Sequence, residues 1–426
     1  MEKGHPPLGE PLCGRFTDSF AYVTLKDRLP VIIAKVVDSL VVQRNVILKD
    51  SSFTIDDIKN VIERLSGLRY ELTTNKPLKP FVDKAPDVEI WNNYLTEEKN
   101  NSTTDVNWFG TRWLYAETYA YRRIFEAFQL TPPFAKYDYF KHLKCQQLES
   151  SLPSMEVFSN IFKIDLKQKS PHSVKDLFSV FIMLSLWGNQ CDLSLSSGAV
   201  NETALDYDSL VSQQKTQLLI NDLPKVWEYV NSNSEETIDI VLDNSGFEWF
   251  TDLYLADFLI SNALAKHIRF HVKAIPWFVS DVTSNGFDWM FEFMSHHESL
   301  IDLVTKWESY LENGIWSIKT DPFWTYPHSY DKLMEINESL YSMLSQSKLV
   351  IFKGDLNYRK CVGDRNWDPT YSFVDAIQGL QSLSVLCLRT LKADTVVGID
   401  KKVMESTQEK DKNWMINGNS PKAQGL

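Results

Sequence analysis

The chain has 426 residues, of which 43% are apolar and 13% are aromatic, so it can build a full hydrophobic core and is not an intrinsically disordered protein. Its formal net charge of -12 argues against a broad nucleic-acid surface, because binding to a phosphate backbone requires clustered Lys and Arg. No apolar run approaches the ~20 residues that a membrane-spanning helix requires.

The five cysteines are scattered and form no C-x-x-C pair, and the N-terminus shows no apolar signal segment. A disulfide framework or a zinc ribbon is therefore not expected, and a reducing compartment fits best. We expect a cytoplasmic protein with access to the nucleus and without a membrane or nucleic-acid partner. Whether it has a protein partner stays open.

The first part of the chain has the periodicity of helices. Three stretches carry apolar residues at the i, i+3 and i+4 spacing, namely residues 29–42, 56–68 and 113–128. Residues 97–105 are polar and predict a surface loop. Residues 177–187 predict an apolar helix that stops at Gly188 and Asn189. We expect an all-helical N-terminal domain over residues 1–175.

After about residue 235 the pattern changes to short apolar runs that alternate with helical stretches. The runs that predict strands are residues 238–242, 270–279, 349–352 and 383–388. A helix is predicted between the first two runs, at residues 251–267. This alternation favours a parallel, Rossmann-like α/β sheet flanked by helices. We place this α/β domain at residues 176–400 and expect residues 401–426 to form a polar, flexible tail.

Oxygen-bearing side chains follow the first two predicted strands. Asp243 and Asn244 follow the first strand, and Asp281 follows the second. Ligands of parallel α/β sheets bind beyond the carboxyl ends of the strands. Carboxylate and amide oxygens are ligands of hard divalent ions such as magnesium and manganese. The three residues therefore predict a metal site, with Glu248 on the next helix as a supporting group or base.

Cations and hydrogen-bonding groups follow the other two predicted strands. Lys353, Arg359 and Lys392 are placed to neutralise a phosphoryl group. Asn357 and Tyr358 are candidates to contact the hydroxyls of a polyol. Alone, the K-G-D-L-N segment is compatible with an ordinary turn, and a lone R-T-x-K segment is more often a solvated strand end. Together, at the ends of neighbouring strands, they favour a phosphate site beside the metal.

A polar cluster at residues 188–194 follows the predicted apolar helix. Asn189 in this cluster is a candidate to reach the cleft and contact the substrate. The alternative is a turn that only terminates the helix.

At these positions the sequence resembles the damage-control phosphatase family, in particular the eukaryotic subfamily whose members have also been described as acidic residue methyltransferases. The similar stretches are residues 113–123, 187–194, 242–248, 251–259, 271–281, 352–360 and 389–394. The Arg-Thr-x-Lys motif of that subfamily is intact at Arg389, Thr390 and Lys392. Ser245 stands where relatives often carry Ala.

The resemblance implies a phosphatase that hydrolyses small phosphorylated metabolites, including fructose 1-phosphate and fructose 6-phosphate. It implies one divalent metal held by Asp243, Asn244 and Asp281, most often manganese, with nickel, cobalt or magnesium as substitutes. It also implies a helical domain beside an α/β domain. The residues that it assigns to the substrate are Asp355, Leu356, Asn357, Tyr358, Arg359 and Lys392. Arg389 and Lys353 are further candidates for substrate binding.

Three alternatives stay open at this point. Asp243 could carry a covalent aspartyl-phosphate, although such enzymes place a second Asp two residues on, where this chain has Ser245. The chain could be a protein-glutamate methyltransferase that uses S-adenosylmethionine, for which the resemblance implies contacts from Glu248 and Asp281. No glycine-rich G-x-G-x-G loop follows a strand, which argues against that activity. A non-catalytic interaction protein is the third, and the set of metal ligands and cations argues against it.

Overall fold

Helices form the first part of the chain in the computed structural model, which describes residues 1–101, 106–167, 173–196, 218–232, 236–418 and 420–425. The first two helices are joined by a π-helical turn, Thr24–Arg28. The helices up to residue 196 are α1 (Phe20–Val23), α2 (Leu29–Ile47), α3 (Ile55–Thr73), α4 (Val88–Asn101), α5 (Trp113–Gln129), α6 (Lys141–Lys167) and α7 (Val174–Ser196). A short 3₁₀ turn, Pro132–Phe134, follows α5.

The helices predicted over residues 29–42, 56–68 and 113–128 are confirmed as α2, α3 and α5. Local sequence explains where they begin. Thr54 and Asp57 form a reciprocal capping box at the start of α3, which satisfies backbone N–H groups that have no partner within the helix. In α5 almost every side chain is buried, so its position is fixed by packing on several sides.

Two boundaries predicted in this region are wrong. The expected surface loop at residues 97–105 is in part helix, because α4 continues to Asn101. The apolar helix does not stop at Gly188, since α7 runs on to Ser196. A Cβ atom at Gly188 would lie 2.7 Å from the Cα of Glu248, so this glycine allows two helices to pack closely and does not end one.

A seven-stranded sheet forms the second part of the molecule. Its strands are β1 (Ile220–Asn221), β2 (Thr237–Val241), β3 (His267–Val272), β4 (Trp316–Thr320), β5 (Leu349–Lys353), β6 (Val385–Thr390) and β7 (Pro421–Gly425). Their order in the sheet is β1-β7-β6-β5-β2-β3-β4, and every pair is parallel except the antiparallel pair β6 and β7. The predicted α/β class with a mainly parallel sheet is confirmed.

The helices of this part connect and cover the strands. They are α8 (Leu223–Ser232), α9 (Phe247–Ser261), α10 (Ser284–Ser295), α11 (Ile301–Glu312), α12 (Leu333–Ile336), α13 (Glu338–Ser345), α14 (Gly354–Cys361), α15 (Phe373–Ala376) and α16 (Lys401–Lys410). Short 3₁₀ turns lie at Pro322–Thr325 and Tyr330–Lys332. The helix expected at residues 251–267 begins and ends earlier, as α9.

The second predicted strand is shorter than expected. It ends at Val272, and the apolar residues beyond it form a loop. Phe278 and Val279 in that loop have positive φ angles of 41° and 73°, a conformation that no strand contains. The mainly apolar run up to residue 279 predicts a continued strand. The chain instead turns after Val272 and so brings Asp281 back beside the end of β2.

The predicted flexible tail contains regular structure. Residues 401–410 form α16, and β7 inserts between β1 and β6. The strand has few apolar residues, which is why its pattern gives no signal. Its polar side chains are nevertheless buried: Lys422 lies 3.3 Å from the centre of the Tyr358 ring, and Gln424 donates a hydrogen bond to the carbonyl of Val397.

Hydrophobic clusters show how the parts join. One cluster is formed by α2, α3 and α5. Another joins one face of the sheet to α7 and α9, and it includes Leu148, Met155 and Phe158 of α6. The long helix α6 therefore packs on the sheet side. The domain boundary near residue 175 stays a prediction. Among the described residues, no helix combines the length and the apolar character of a membrane span.

Candidate active site

A cavity of about 260 Å³ lies where β2, β5 and β6 end, and it is closed on one side by the start of α5 and by the π-helical turn. The predicted site residues that line it are Asp243, Asn244, Glu248, Asp281, Asp355, Leu356, Arg359 and Lys392. Residues that are up to about 150 positions apart thus meet in one cavity, as expected for the carboxyl edge of a parallel sheet.

Asp243 is held against the first residue of α14. Gly354 has a φ of +84°, and a Cβ atom there would lie only 1.9 Å from Oδ2 of Asp243. A glycine is the residue that can both adopt this left-handed conformation and leave room for the carboxylate. The K-G-D sequence after β5 therefore allows the backbone of that loop to approach the end of β2 closely.

Backbone hydrogen bonds fix Asp281 beside Asp243. The amide of Val282 donates to the carbonyl of Asp243 at 2.9 Å, and the amide of Ser245 donates to the carbonyl of Ser280 at 2.7 Å. These bonds form an isolated antiparallel bridge between Asn244 and Asp281. The two loops that carry the predicted metal ligands are thus a single hydrogen-bonded unit.

The Asn244 side chain links the acidic groups. Its Nδ2 donates to Oδ2 of Asp243 and to Oε2 of Glu248, both at 2.8 Å. Its Oδ1 accepts a hydrogen bond from the Ser280 hydroxyl at 2.5 Å. Ligation of a metal through Oδ1 therefore requires the amide to turn away from Ser280. In the present arrangement the amide reduces repulsion between two carboxylates.

Burial and crowding raise the pKa of both aspartates. The pKa of Asp243 lies well above its usual value because it is buried and because Asp281 and Glu248 are close. Burial raises the pKa of Asp281 to about 6, although Lys273 opposes that change. Oδ2 of Asp281 lies 3.3 Å from the Lys273 ammonium but accepts no hydrogen bond of good geometry. We regard this contact as an ion pair that leaves the oxygen available to a cation.

These groups fit a hard divalent cation. In the part of the chain that the structure describes, no three His, Cys, Asp or Glu side chains form a metal cluster by themselves. The third donor would thus be the amide oxygen of Asn244, beside the carboxylates of Asp243 and Asp281. An all-oxygen set of this kind suits magnesium or manganese.

Two predicted cations line the cavity, and they differ in how they are held. Arg359 donates to both oxygens of Asp364 and, at 2.6 Å, to Glu117, and it lies over the Trp113 ring at 3.5 Å. Lys392 has no ion-pair partner among the described residues, and its backbone amide is anchored by Asp355 at 3.1 Å. Of these two predicted cations, Lys392 is therefore the one with charge available to a phosphoryl group.

The other two predicted cations lie outside the cavity. The Lys353 ammonium is buried against Asp252 at 2.9 Å and Ser185 at 2.7 Å. The Arg389 guanidinium bonds to Asp355 at 2.7 Å and to the carbonyl of Thr395 at 2.6 Å. Both residues belong to strands, so their side chains point to a face of the sheet and not off its edge. Lys353 and Arg389 therefore stabilise the elements around the cavity and do not line it.

Asn357 and Tyr358 also lie outside the cavity, because they are on the face of α14 that packs against the sheet. Asn357 accepts from the Tyr330 hydroxyl at 2.6 Å and donates to the carbonyl of Lys353 at 2.7 Å. The Tyr358 hydroxyl accepts from the amide of Val397 at 3.2 Å. The side chain of Asn189 lies outside the described residues, so its predicted contact stays a prediction.

The structure adds cavity residues that the predicted site does not include: Ser280 and Thr390 at the predicted strand ends, and Arg28 and Glu117, which the strand-end pattern does not indicate. Glu117 could have been recognised as a candidate from the sequence, because it is an acidic residue within the otherwise aromatic start of α5. Arg28 could not, because only tertiary packing brings the π-helical turn over the end of the sheet.

Comparison with known proteins identifies the family. The family model described as "Damage-control phosphatase ARMT1-like domain" matches residues 24–407. A relative from Danio rerio named "Damage-control phosphatase ARMT1" is 40% identical over 97% of this chain and 95% of its own. The Homo sapiens protein of the same name is 38% identical over 96% of each chain.

A solved structure is also similar in part. A DUF89 family protein from Pyrococcus horikoshii aligns with a TM-score of 0.43 and 14% identity over 88% of this chain and 97% of its own. The family match and the relatives cover nearly the whole chain. The chain therefore belongs to the damage-control phosphatase ARMT1-like family, and it is a phosphatase.

Proposed function

We propose that this phosphatase hydrolyses small phosphorylated metabolites, in particular sugar phosphates such as fructose 1-phosphate or fructose 6-phosphate, in the cytoplasm and the nucleus. The observation that carries the proposal is the cavity itself. Three acidic side chains and an amide lie at one end of it, and beside them lies Lys392, which forms no ion pair with any described residue. This set suits a divalent metal and the phosphate that the metal binds.

Asp243, Asn244 and Asp281 would hold the ion, with manganese as the first candidate and nickel, cobalt or magnesium as substitutes. A bound divalent ion supplies Lewis acidity toward a phosphoryl oxygen and lowers the pKa of water. Its charge would also offset the cost of burying Asp243 and Asp281 in their ionised form and the repulsion from neighbouring carboxylates.

The protein's own groups then complete the site. Lys392 neutralises the phosphoryl charge, and Asp355 fixes the loop that presents it. Glu248 lies within hydrogen-bond distance of Asn244 and lines the same cavity, so it is placed to accept a proton from an attacking water. Arg359 is already satisfied by two carboxylates, and its role is to keep the wall of the cavity rigid.

Phosphate release from fructose 1-phosphate with manganese tests this proposal. The wild-type chain is expected to be active, and Asp243→Ala is expected to lose activity by at least about a hundredfold, since the metal loses a ligand. Arg44→Ala, on the exposed surface of α2, is the control and should keep full activity. Equal rates for the wild type and Asp243→Ala would refute the mechanism.

Two of the sequence alternatives can be separated in the same samples. If Asp243 forms a covalent phosphoenzyme, a beryllium fluoride analogue will bond directly to its carboxylate. If the chain is a methyltransferase, calorimetry will detect binding of S-adenosylmethionine. We expect neither result.

A further inference from the structure

Two basic side chains line the cavity without an ion-pair partner in the described part of the chain, and they lie on different walls. Lys392 follows β6 and is close enough to Asp243 to lower the pKa of that carboxyl group, although burial raises it overall. Arg28 ends the π-helical turn, is exposed, and lies 5.2 Å from the centre of the Phe20 ring. π-Helical turns often occur at functional positions, because they displace one residue from the regular helix.

Glu117 lies on the same wall as Arg28. Its carboxylate is buried but lines the cavity, and burial raises its pKa while Arg359 and then Arg28 oppose that change. One carboxylate oxygen accepts the Arg359 hydrogen bond. The other has no hydrogen bond to a described residue, so it can accept one from a ligand in the cavity.

The two ends of the cavity differ in charge. Near the metal ligands, four carboxylates outnumber three cations, and a divalent ion would make this end positive. The carboxylates are Asp243, Asp281, Glu248 and Asp252, and the cations are Lys392, Lys273 and Lys353, the last of which lies 3.7 Å from Glu248 and 2.9 Å from Asp252. At the other end, Arg28 and Arg359 are balanced by Glu117 and Asp364. The phosphate of a substrate thus belongs beside the metal, and an uncharged hydrogen-bonding group belongs beside Arg28 and Glu117.

We propose that Arg28 and Glu117 bind the hydroxyl groups of the substrate and so select hydroxylated phosphate esters over esters without hydroxyls. The proposal rests on the phosphatase function given above. The Arg28 guanidinium would donate to hydroxyl oxygens, and the free oxygen of Glu117 would accept from a hydroxyl. A site built to hydrogen-bond a hydroxyl discriminates against an ester that lacks one, because the buried oxygen of Glu117 is then left unpaired and the exposed Arg28 guanidinium loses a ligand contact.

The test compares two esters that share a phosphate but differ in hydroxyl groups, fructose 1-phosphate and phenyl phosphate, with manganese. Arg28→Ala should lower kcat/KM for fructose 1-phosphate by about tenfold or more, the loss typical of one hydrogen bond to a charged group. It should leave kcat/KM for phenyl phosphate within about twofold. Arg44→Ala, an exposed arginine on α2, should change neither value.

An equal loss on both esters, or no loss on fructose 1-phosphate, would overturn the selectivity role of Arg28. Glu117→Gln, which keeps an acceptor oxygen for Arg359, should show the same dependence on the ester, and an equal loss on both would remove Glu117 from the proposal. A wild-type chain that hydrolyses neither ester would refute the proposed function itself, and the selectivity role with it.

Discussion

Gly354 is the residue whose geometry most directly constrains the metal site. Gly354→Ala places a Cβ atom 1.9 Å from Oδ2 of Asp243, so the carboxylate or the start of α14 has to move. A displacement of about 1 Å can cost a hundredfold in rate, and we expect kcat/KM for fructose 1-phosphate to fall by at least that factor.

Gly363→Ala is the matched control for this prediction. Gly363 also has a positive φ, of 73°, but the nearest atom to its added Cβ would be Arg365 Nε at 3.6 Å. Backbone strain should therefore lower the free energy of unfolding of both variants by about 1 kcal/mol. Only Gly354→Ala also disturbs Asp243. Similar activities in the two variants would contradict the proposed role of Gly354.

Lys353 distinguishes structural support from substrate binding. Because its ammonium is buried against Asp252, Lys353→Met should leave an uncompensated buried carboxylate and lower the free energy of unfolding by about 3–5 kcal/mol. The double variant Lys353→Met with Asp252→Leu should recover much of that loss in denaturant unfolding. If the single variant keeps wild-type stability and only loses activity, Lys353 contacts the substrate and our placement is wrong.

The candidate ligands could be predicted from the sequence because parallel strands bring their carboxyl ends to one edge. Asp243, Asp281 and Lys392 all lie beyond a strand and do line the cavity. The sequence pattern predicts Lys353 and Arg389 at the same edge, but each still lies inside its strand, and the pleat turns its side chain to a face of the sheet. Whether a residue lies inside a strand or beyond its end depends on a difference of one or two positions. Apolar periodicity does not locate a strand end that accurately.

At the scale of elements, β7 carries the clearest departure from the sequence. A polar segment of five residues, Pro421–Gly425, completes the sheet between β1 and β6, because main-chain hydrogen bonds need no apolar pattern. Its partners Tyr358 and Val397 lie far away in the chain, so no local signal identifies them.

Deletion of residues 421–426 should therefore lower the melting temperature by more than about 5 °C, since it removes the shared partner of β1 and β6 and leaves the backbone of Cys387 and Leu388 without its paired strand. Substituting Lys401 and Lys402 of α16 with Ala should change it by no more than about 1 °C, because these side chains are exposed. A deletion variant as stable as the wild type, by calorimetry, would show that β7 does not belong to the folded sheet.

At the scale of the whole molecule, His328 links stability to pH. Burial lowers its pKa to about 4 from the usual 6.5, and Lys360 nearby acts in the same direction. The folded state thus takes up this proton at lower pH than the unfolded state. The stabilisation is fully present above about pH 6.5 and is lost progressively as the pH falls toward 4.

His328→Gln should reduce this dependence. Between pH 6.5 and 4, its free energy of unfolding should fall less steeply than that of the wild type in urea titrations. Identical slopes would contradict the burial of a neutral histidine at this position.

The proposed mechanism requires that Asp243, Asn244 and Asp281 share one metal ion in the cavity that Lys392 also lines. Anomalous X-ray diffraction at the manganese edge, from crystals grown with manganese, measures this directly. We predict a single strong peak within coordination distance of oxygens from all three side chains, about 2.0–2.3 Å. A peak elsewhere, or none at this site with manganese in excess, would show that these three side chains do not share a metal ion.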